Sequence, residues 1–196
     1  MGLAAASNHC VSETELVERA RAGDADAFGE LVERYQGAVY RVARAALRSA
    51  TEADYVTQDA FVAAFQKLGE FRGDASFKTW LLAIAWNTAR MQRRGAWRWL
   101  ERFRQSDTTD AALGPRPVPS QEDTLISRDL RARVRRTMLT LSPKYRDALM
   151  LATTDDLTMD EMGAILGIPS GTVKWRLSEG RRQLRAKLTR LGIRDE

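Results

Sequence analysis

The sequence predicts an all-α protein of two small helical domains joined by a flexible linker, and three observations support this. Apolar residues recur at helical spacing through most of the chain, while strand signals are scarce. An acidic, proline-containing stretch at 105–123 interrupts that periodicity. Beyond it lie two helices with clear start and stop signals, separated by a tight turn, and the second is loaded with cations.

Residues 1–12 read as a tail, and the first domain spans 13–104. Glu13 to about Ala22 predicts a short acidic helix. Ala25 to about Leu47 carries Phe28, Leu31, Val32, Tyr35, Val39 and Val42, as one long amphipathic helix or a broken pair. A third helix runs from about Glu52 to Leu68, with Phe61, Phe65 and Leu68 on one face. Gly69 to Ser76 is a loop. A fourth helix begins near Phe77 and runs through Trp80, Leu81, Ile84 and Thr88 toward Arg94. Three of the five prolines fall in 105–123, with four acids and one arginine, so this segment forms neither helix nor core.

The second domain spans 124–196 and opens with a helix over Leu125–Leu139. Ser142 before Pro143 is an N-cap followed by proline at the first helical position, where a missing N–H does no harm. Thr158 and Glu161 have capping-box spacing, so a helix starts at about Thr158. Met162, Ile165 and Leu166 are its apolar face. Gly167 suits the positive φ that ends a helix, and Pro169 suits the start of the next. In that last helix Val173, Leu177, Leu184, Leu188 and Leu191 face the core, and Lys174, Trp175, Ser178, Arg181 and Arg182 fall on the other side. This is the pattern of a helix-turn-helix, which places its second helix in the major groove of DNA. Two amphipathic helices with a solvated basic face would share the same pattern.

Charge points the same way. Residues 170–194 hold eight Lys/Arg against Glu179 alone, a net +7 that exceeds the +5 of the whole 196-residue chain. Clustered cations mark a polyanionic partner, either nucleic acid or an anionic membrane surface. A second basic stretch, 72–104, holds eight Lys/Arg against Asp74 and Glu101, interleaved with Phe71, Phe77, Trp80, Trp86, Trp97, Trp99 and Phe103. Cations beside flat rings suit single-stranded nucleic acid, since phosphates meet charge and unstacked bases find a platform. Trp80, in register with Ile84, reads as core, whereas Phe71, Arg72 and Phe77 read as exposed.

The single cysteine, Cys10, excludes an internal disulfide framework and fits a reducing cytoplasm. No apolar run approaches the ~18–20 residues of a membrane span, so membrane insertion is not expected. His9 and Cys10 are adjacent and make an incomplete metal site. No nucleophile constellation, carboxylate dyad or phosphate loop stands out, so neither catalysis nor a cofactor is expected.

These segments resemble the sigma-70 class of bacterial sigma factors, in particular the small extracytoplasmic-function (ECF) group. Gly23-Asp24-Ala25-Asp26-Ala27-Phe28 resembles the opening of that family's first conserved region. Val56-Thr57-Gln58-Asp59-Ala60-Phe61 resembles its polymerase-clamp helix. Phe71-Arg72-Gly73-Asp74-Ala75-Ser76-Phe77-Lys78-Thr79-Trp80-Leu81 resembles the promoter-melting segment. Ile84-Ala85-Trp86-Asn87-Thr88-Ala89-Arg90 resembles the helix that reads the −10 element. Leu141-Ser142-Pro143-Lys144-Tyr145-Arg146 and Gly167-Ile168-Pro169-Ser170-Gly171-Thr172-Val173-Lys174 resemble the domain that reads the −35 element.

The resemblance implies a protein that binds core RNA polymerase and directs it to promoter DNA, usually under the control of an anti-sigma factor. It implies core-polymerase contacts at Asp54, Gln58, Asp59 and Phe61. It implies −10 contacts at Phe71, Arg72, Ser76, Phe77, Lys78, Asn87 and Arg90. It implies −35 contacts at Ser170, Thr172, Lys174, Trp175, Arg176, Ser178, Arg181 and Arg182. Three positions depart from the family pattern. Tyr55 stands where an acid is usual, Trp86 where a base is common, and Trp175 where a small residue is usual. Trp175 either touches thymine methyls or DNA backbone, or packs on the protein. If the two domains pack together in the free chain, both DNA surfaces are hidden.

Overall fold

The computed structural model describes residues 12–47, 49–104, 125–154 and 156–193. Every regular element among them is helical. The first domain is built from α1 (Glu13–Arg21), α2 (Ala25–Ala46), α3 (Ala50–Gln66) and α4 (Phe77–Arg104), with a 3-10 turn at Leu68–Glu70. The second contains α5 (Leu125–Leu139), α6 (Pro143–Leu151), α7 (Met159–Leu166) and α8 (Ser170–Arg190). The predicted linker at 105–123, most of the tail, and His9 and Cys10 lie outside the described residues.

Local chemistry sets most boundaries. Ser12 caps α1 through the Glu15 N–H, and Asp24 caps α2 through the Asp26 and Ala27 N–H groups. Arg19 reaches back to Asp24 at 2.8 Å. The Ala27 N–H and Arg19 hold the Asp24 carboxyl below its usual range, so it stays an anionic cap. One unbroken helix spans Ala25–Ala46, with Leu31, Val39 and Val42 fully buried. The fourth helix continues ten residues past the expected Arg94 end, to Arg104, because 95–104 holds no proline and a single interior glycine, Gly95, is tolerated in a helix.

In the second domain Thr158 accepts from the Glu161 N–H, and Glu161 accepts from the Thr158 N–H. This is the predicted capping box. Gly167 ends α7 in the left-handed region (φ 67°), where its missing Cβ removes the usual penalty. Ser142 occupies the N-cap position of α6, yet its hydroxyl makes no cap bond, and Pro143 at the first turn suffices. Val173 and Leu177 face the core as expected, whereas Leu191, 59% exposed, does not. It lies past the end of α8, where the helical register that would turn it inward is lost.

The two domains pack together, α4 against α7 and α2 against α6. Ion pairs cross this contact beside buried apolar residues of both domains. Asp147 on α6 is buried and meets Arg93 at 2.5 Å and Arg90 at 3.4 Å, both on α4. Lys78 pairs with Glu161 at 3.1 Å, and Arg93 also donates to the Met150 sulfur. The Arg41–Asp156 pair, 2.6 Å apart, is half exposed and adds little.

Candidate nucleic-acid interface

On α8 the exposed face carries Lys174, Trp175, Ser178, Arg181 and Arg182, as the helical register predicts. Lys174, Ser178, Arg181 and Arg182 line one groove together with Met159 from the start of α7. Arg182 is held by both oxygens of Glu179, which also accepts from Gln183. The Arg182 and Gln183 hydrogen bonds keep the Glu179 carboxyl at about 2, so it is charged throughout the working range. Ser170 and Thr172 are half-buried at the first turn. Arg176 is turned partly inward, with its Nε buried. Lys144 and buried Tyr145 of α6, within the Leu141–Arg146 segment but not singled out as contact residues, stand against Trp175. Their signal was the Pro143-Lys144-Tyr145 start of the helix that crosses α8.

The second basic surface is the loop before α4 and the exposed side of that helix. Arg72 is exposed, and Gly73 takes a positive φ of 80° between it and Ser76. The Ser76 hydroxyl caps α4 through the Thr79 N–H. Glu13 crosses over from α1 and accepts the Phe77 N–H at 3.2 Å, and its other oxygen accepts from the Tyr35 hydroxyl. Burial and this carboxylate push the Tyr35 hydroxyl up to about 12. Asn87 is exposed nearly three turns along α4.

Two predicted contact residues are corrected here. Phe77 is 1% exposed and belongs to the core, where its ring meets Tyr35, Phe71 and Trp80. Phe71 is half-buried over the same cluster. Aromatic rings at a helix start bury when a neighbouring helix lies beneath them, and here α2 supplies that floor. Phe61 is likewise buried (8%), on the inward side of α3. Asp54, Gln58 and Asp59 are exposed on the outward side. Beside them stand Tyr55 (61%) and Val62 (57%), which sequence reasoning had not placed in a contact surface. Phe65, expected on the buried face, is half exposed and leans edge-on against Phe28. Their spacing off the Val56, Ala60, Ala64 core line was the available signal.

Domain packing engages part of the α4 surface and leaves the exposed face of α8 open. Lys78 and Arg90 of the α4 surface are paired with Glu161 and Asp147. Burial raises the Glu161 carboxyl, yet the Thr158 N–H and Lys78 together hold it below its usual range. Arg72, Ser76 and Asn87 stay exposed, as does the outer face of α8, so domain packing, against the expectation that it hides both surfaces, hides neither whole. Replacing Asp147→Asn together with Glu161→Gln removes the carboxylate charges and retains hydrogen-bonding groups. The expected result is a larger radius of gyration by small-angle scattering with unchanged helix content. An unchanged radius would show that apolar contact alone holds the domains.

A helix-turn-helix with a cationic second helix defines the class as a DNA-binding protein. Residues 31–99 match the model of sigma-70 region 2, and residues 131–184 match that of sigma-70, region 4. The chain is 31% identical to the ECF RNA polymerase sigma factor SigW of Bacillus subtilis, over 88% of this chain and 94% of that protein. It is 33% identical to the ECF RNA polymerase sigma-E factor of Escherichia coli K12, over 91% and 95%. It is 34% identical to the RNA polymerase sigma-H factor of Pseudomonas aeruginosa, over 86% and 90%. Among solved structures, CnrH in complex with the cytosolic domain of CnrY superposes with a TM-score of 0.62 at 29% identity, covering 89% of this chain and 95% of that one. The chain belongs to the sigma-70 family and is an ECF sigma factor. The family consists of transcription factors rather than enzymes. Among the described residues no helix is long and apolar enough to cross a membrane. Nor, among them, does any cluster of His, Cys, Asp or Glu suit a metal ion.

Proposed function

We propose that this sigma factor binds core RNA polymerase in the cytoplasm and directs it to promoters through separate −10 and −35 contacts. The observation that carries this reading is the pair of basic surfaces on two domains, one on the second helix of a helix-turn-helix and one at the exposed Arg72 loop and outer side of α4. Lys174, Trp175, Ser178, Arg181 and Arg182 meet the −35 duplex, with Ser170, Thr172 and Arg176 at its margins. Arg and Lys suit guanine edges and phosphates there. Arg72, Phe71, Ser76, Lys78, Asn87 and Arg90 serve the −10 strand. A base lifted from the stack, at a cost of about a few kcal/mol, needs a pocket and a stacking neighbour. Asp54, Gln58 and Asp59 bind the polymerase clamp, with Tyr55 and Val62 adding apolar contact in place of Phe61. An anti-sigma factor holds the protein inactive; the complex of CnrH with a CnrY domain supports a protein partner of this kind.

Run-off transcription with purified core polymerase on a promoter library tests the reading. Transcripts that require this protein and share a −35/−10 class are expected. Absence of both transcripts and core binding would favour a stand-alone helix-turn-helix regulator, which binds a palindrome as a dimer without polymerase.

A further inference from the structure

Trp175 is a large apolar side chain held in the open. It sits on the second turn of α8, within the N-terminal part of a major-groove helix that meets base edges. It is 54% exposed. Its ring meets that of buried Tyr145, with centroids 5.8 Å apart and planes at 58°. Lys144 Nζ stands 4.9 Å from the Tyr145 ring and 5.8 Å from the Trp175 ring. The indole is therefore propped from behind by a fixed ring and flanked by Lys144 on one side and Lys174 on the helix itself.

A ring so held gains by burial only where its target offers apolar surface. The floor of the major groove presents hydrogen-bond donors and acceptors, with one apolar exception, the C5-methyl group of thymine. Phosphates flank that floor and suit the two lysines, whose charges match DNA better than an apolar protein surface. We propose that Trp175 is a specificity-determining residue that reads a thymine C5-methyl in the duplex element bound by α8, while Lys144 takes an adjacent phosphate. Tyr145 acts as a positioning residue by fixing the indole before DNA arrives. This inference rests on the −35 reading of α8.

Deoxyuridine differs from thymidine only by that methyl group, which gives a direct test. Holoenzyme assembled from core polymerase and the full chain is titrated with a promoter fragment that it transcribes. Each thymine of the −35 element is replaced by deoxyuridine in turn. At one or two positions the wild type is expected to bind about three- to fivefold more weakly, the factor for burying one methyl. Trp175→Ala is expected to bind the thymine and deoxyuridine fragments alike at those positions, and Trp175→Phe to retain part of the difference. Removal of an exposed ring leaves the fold intact, which circular dichroism of both variants checks. Equal wild-type binding to every deoxyuridine fragment overturns the proposal, as does a thymine preference that survives in Trp175→Ala. Wild-type binding that is unchanged when the whole −35 element is scrambled overturns the −35 reading itself, and the proposal with it.

Discussion

Trp86→Ala will destabilise the first domain by about 3–5 kcal/mol, while Trp86→Phe will change it far less. Trp86 is 1% exposed and is the largest fully buried side chain of the described core. Truncation to Ala removes the transfer energy of the whole indole and leaves a cavity that rigid helices on either side fill only in part. The indole Nε1, however, has no hydrogen-bond partner among the described residues. A buried donor without an acceptor costs about 1–3 kcal/mol. Phenylalanine removes that donor, so relief of the penalty offsets part of the lost packing. Urea unfolding followed by circular dichroism separates the two variants. If Phe proves as damaging as Ala, the indole N–H is satisfied in solution and the argument fails. The variants also bear on function, because Trp86 precedes exposed Asn87 on α4. Partial unfolding there disturbs the surface assigned to the −10 strand without touching a residue of that surface.

Features that depend on a few neighbouring residues were legible in the sequence. The Thr158–Glu161 capping box closes within four residues, and the Gly167 stop needs only a backbone angle, so both emerge from local chemistry. The outward face of α8 follows from helical register, because Val173 and Leu177 fix which side is buried. Phe61 and Phe77 were misplaced for the opposite reason. A ring can point toward a partner molecule or a neighbouring helix, and the choice depends on residues distant in the chain. For Phe77 the deciding group is Tyr35 on α2. The Glu13 carboxylate that receives the Phe77 N–H comes from still further away, and nothing at either position signals the other. The same holds for the pairs between domains. Asp147 is unremarkable within α6, and its meaning appears only when Arg90 and Arg93 approach from α4. Electrostatic clustering along the chain thus located the basic surfaces, but not the carboxylates that meet them.

Gly163→Val will destabilise the second domain by about 3 kcal/mol and abolish transcription that depends on the −35 element. Gly163 is buried inside α7, and the turn that follows folds back across it. A Cβ at this position would stand 2.7 Å from the Ile168 carbonyl oxygen and 3.4 Å from the Ser170 backbone nitrogen. Both are backbone atoms, so no side chain can swing aside. The Ile168 N–H also donates to the Gly163 carbonyl at 2.9 Å, which ties the turn to the same spot. Valine must therefore push α7 and α8 apart or break the turn, and either movement re-aims the face carrying Lys174, Trp175 and Arg181. Gly171→Ala is the matched control. It lies in the first turn of α8 with nothing within 4 Å of an added Cβ, so alanine should leave stability unchanged or raise it by up to ~1 kcal/mol. Thermal unfolding and run-off transcription on the two variants give the comparison. A stable, active Gly163→Val protein would mean that the turn has room to move, and that the angle between α7 and α8 is not what sets the DNA-facing surface.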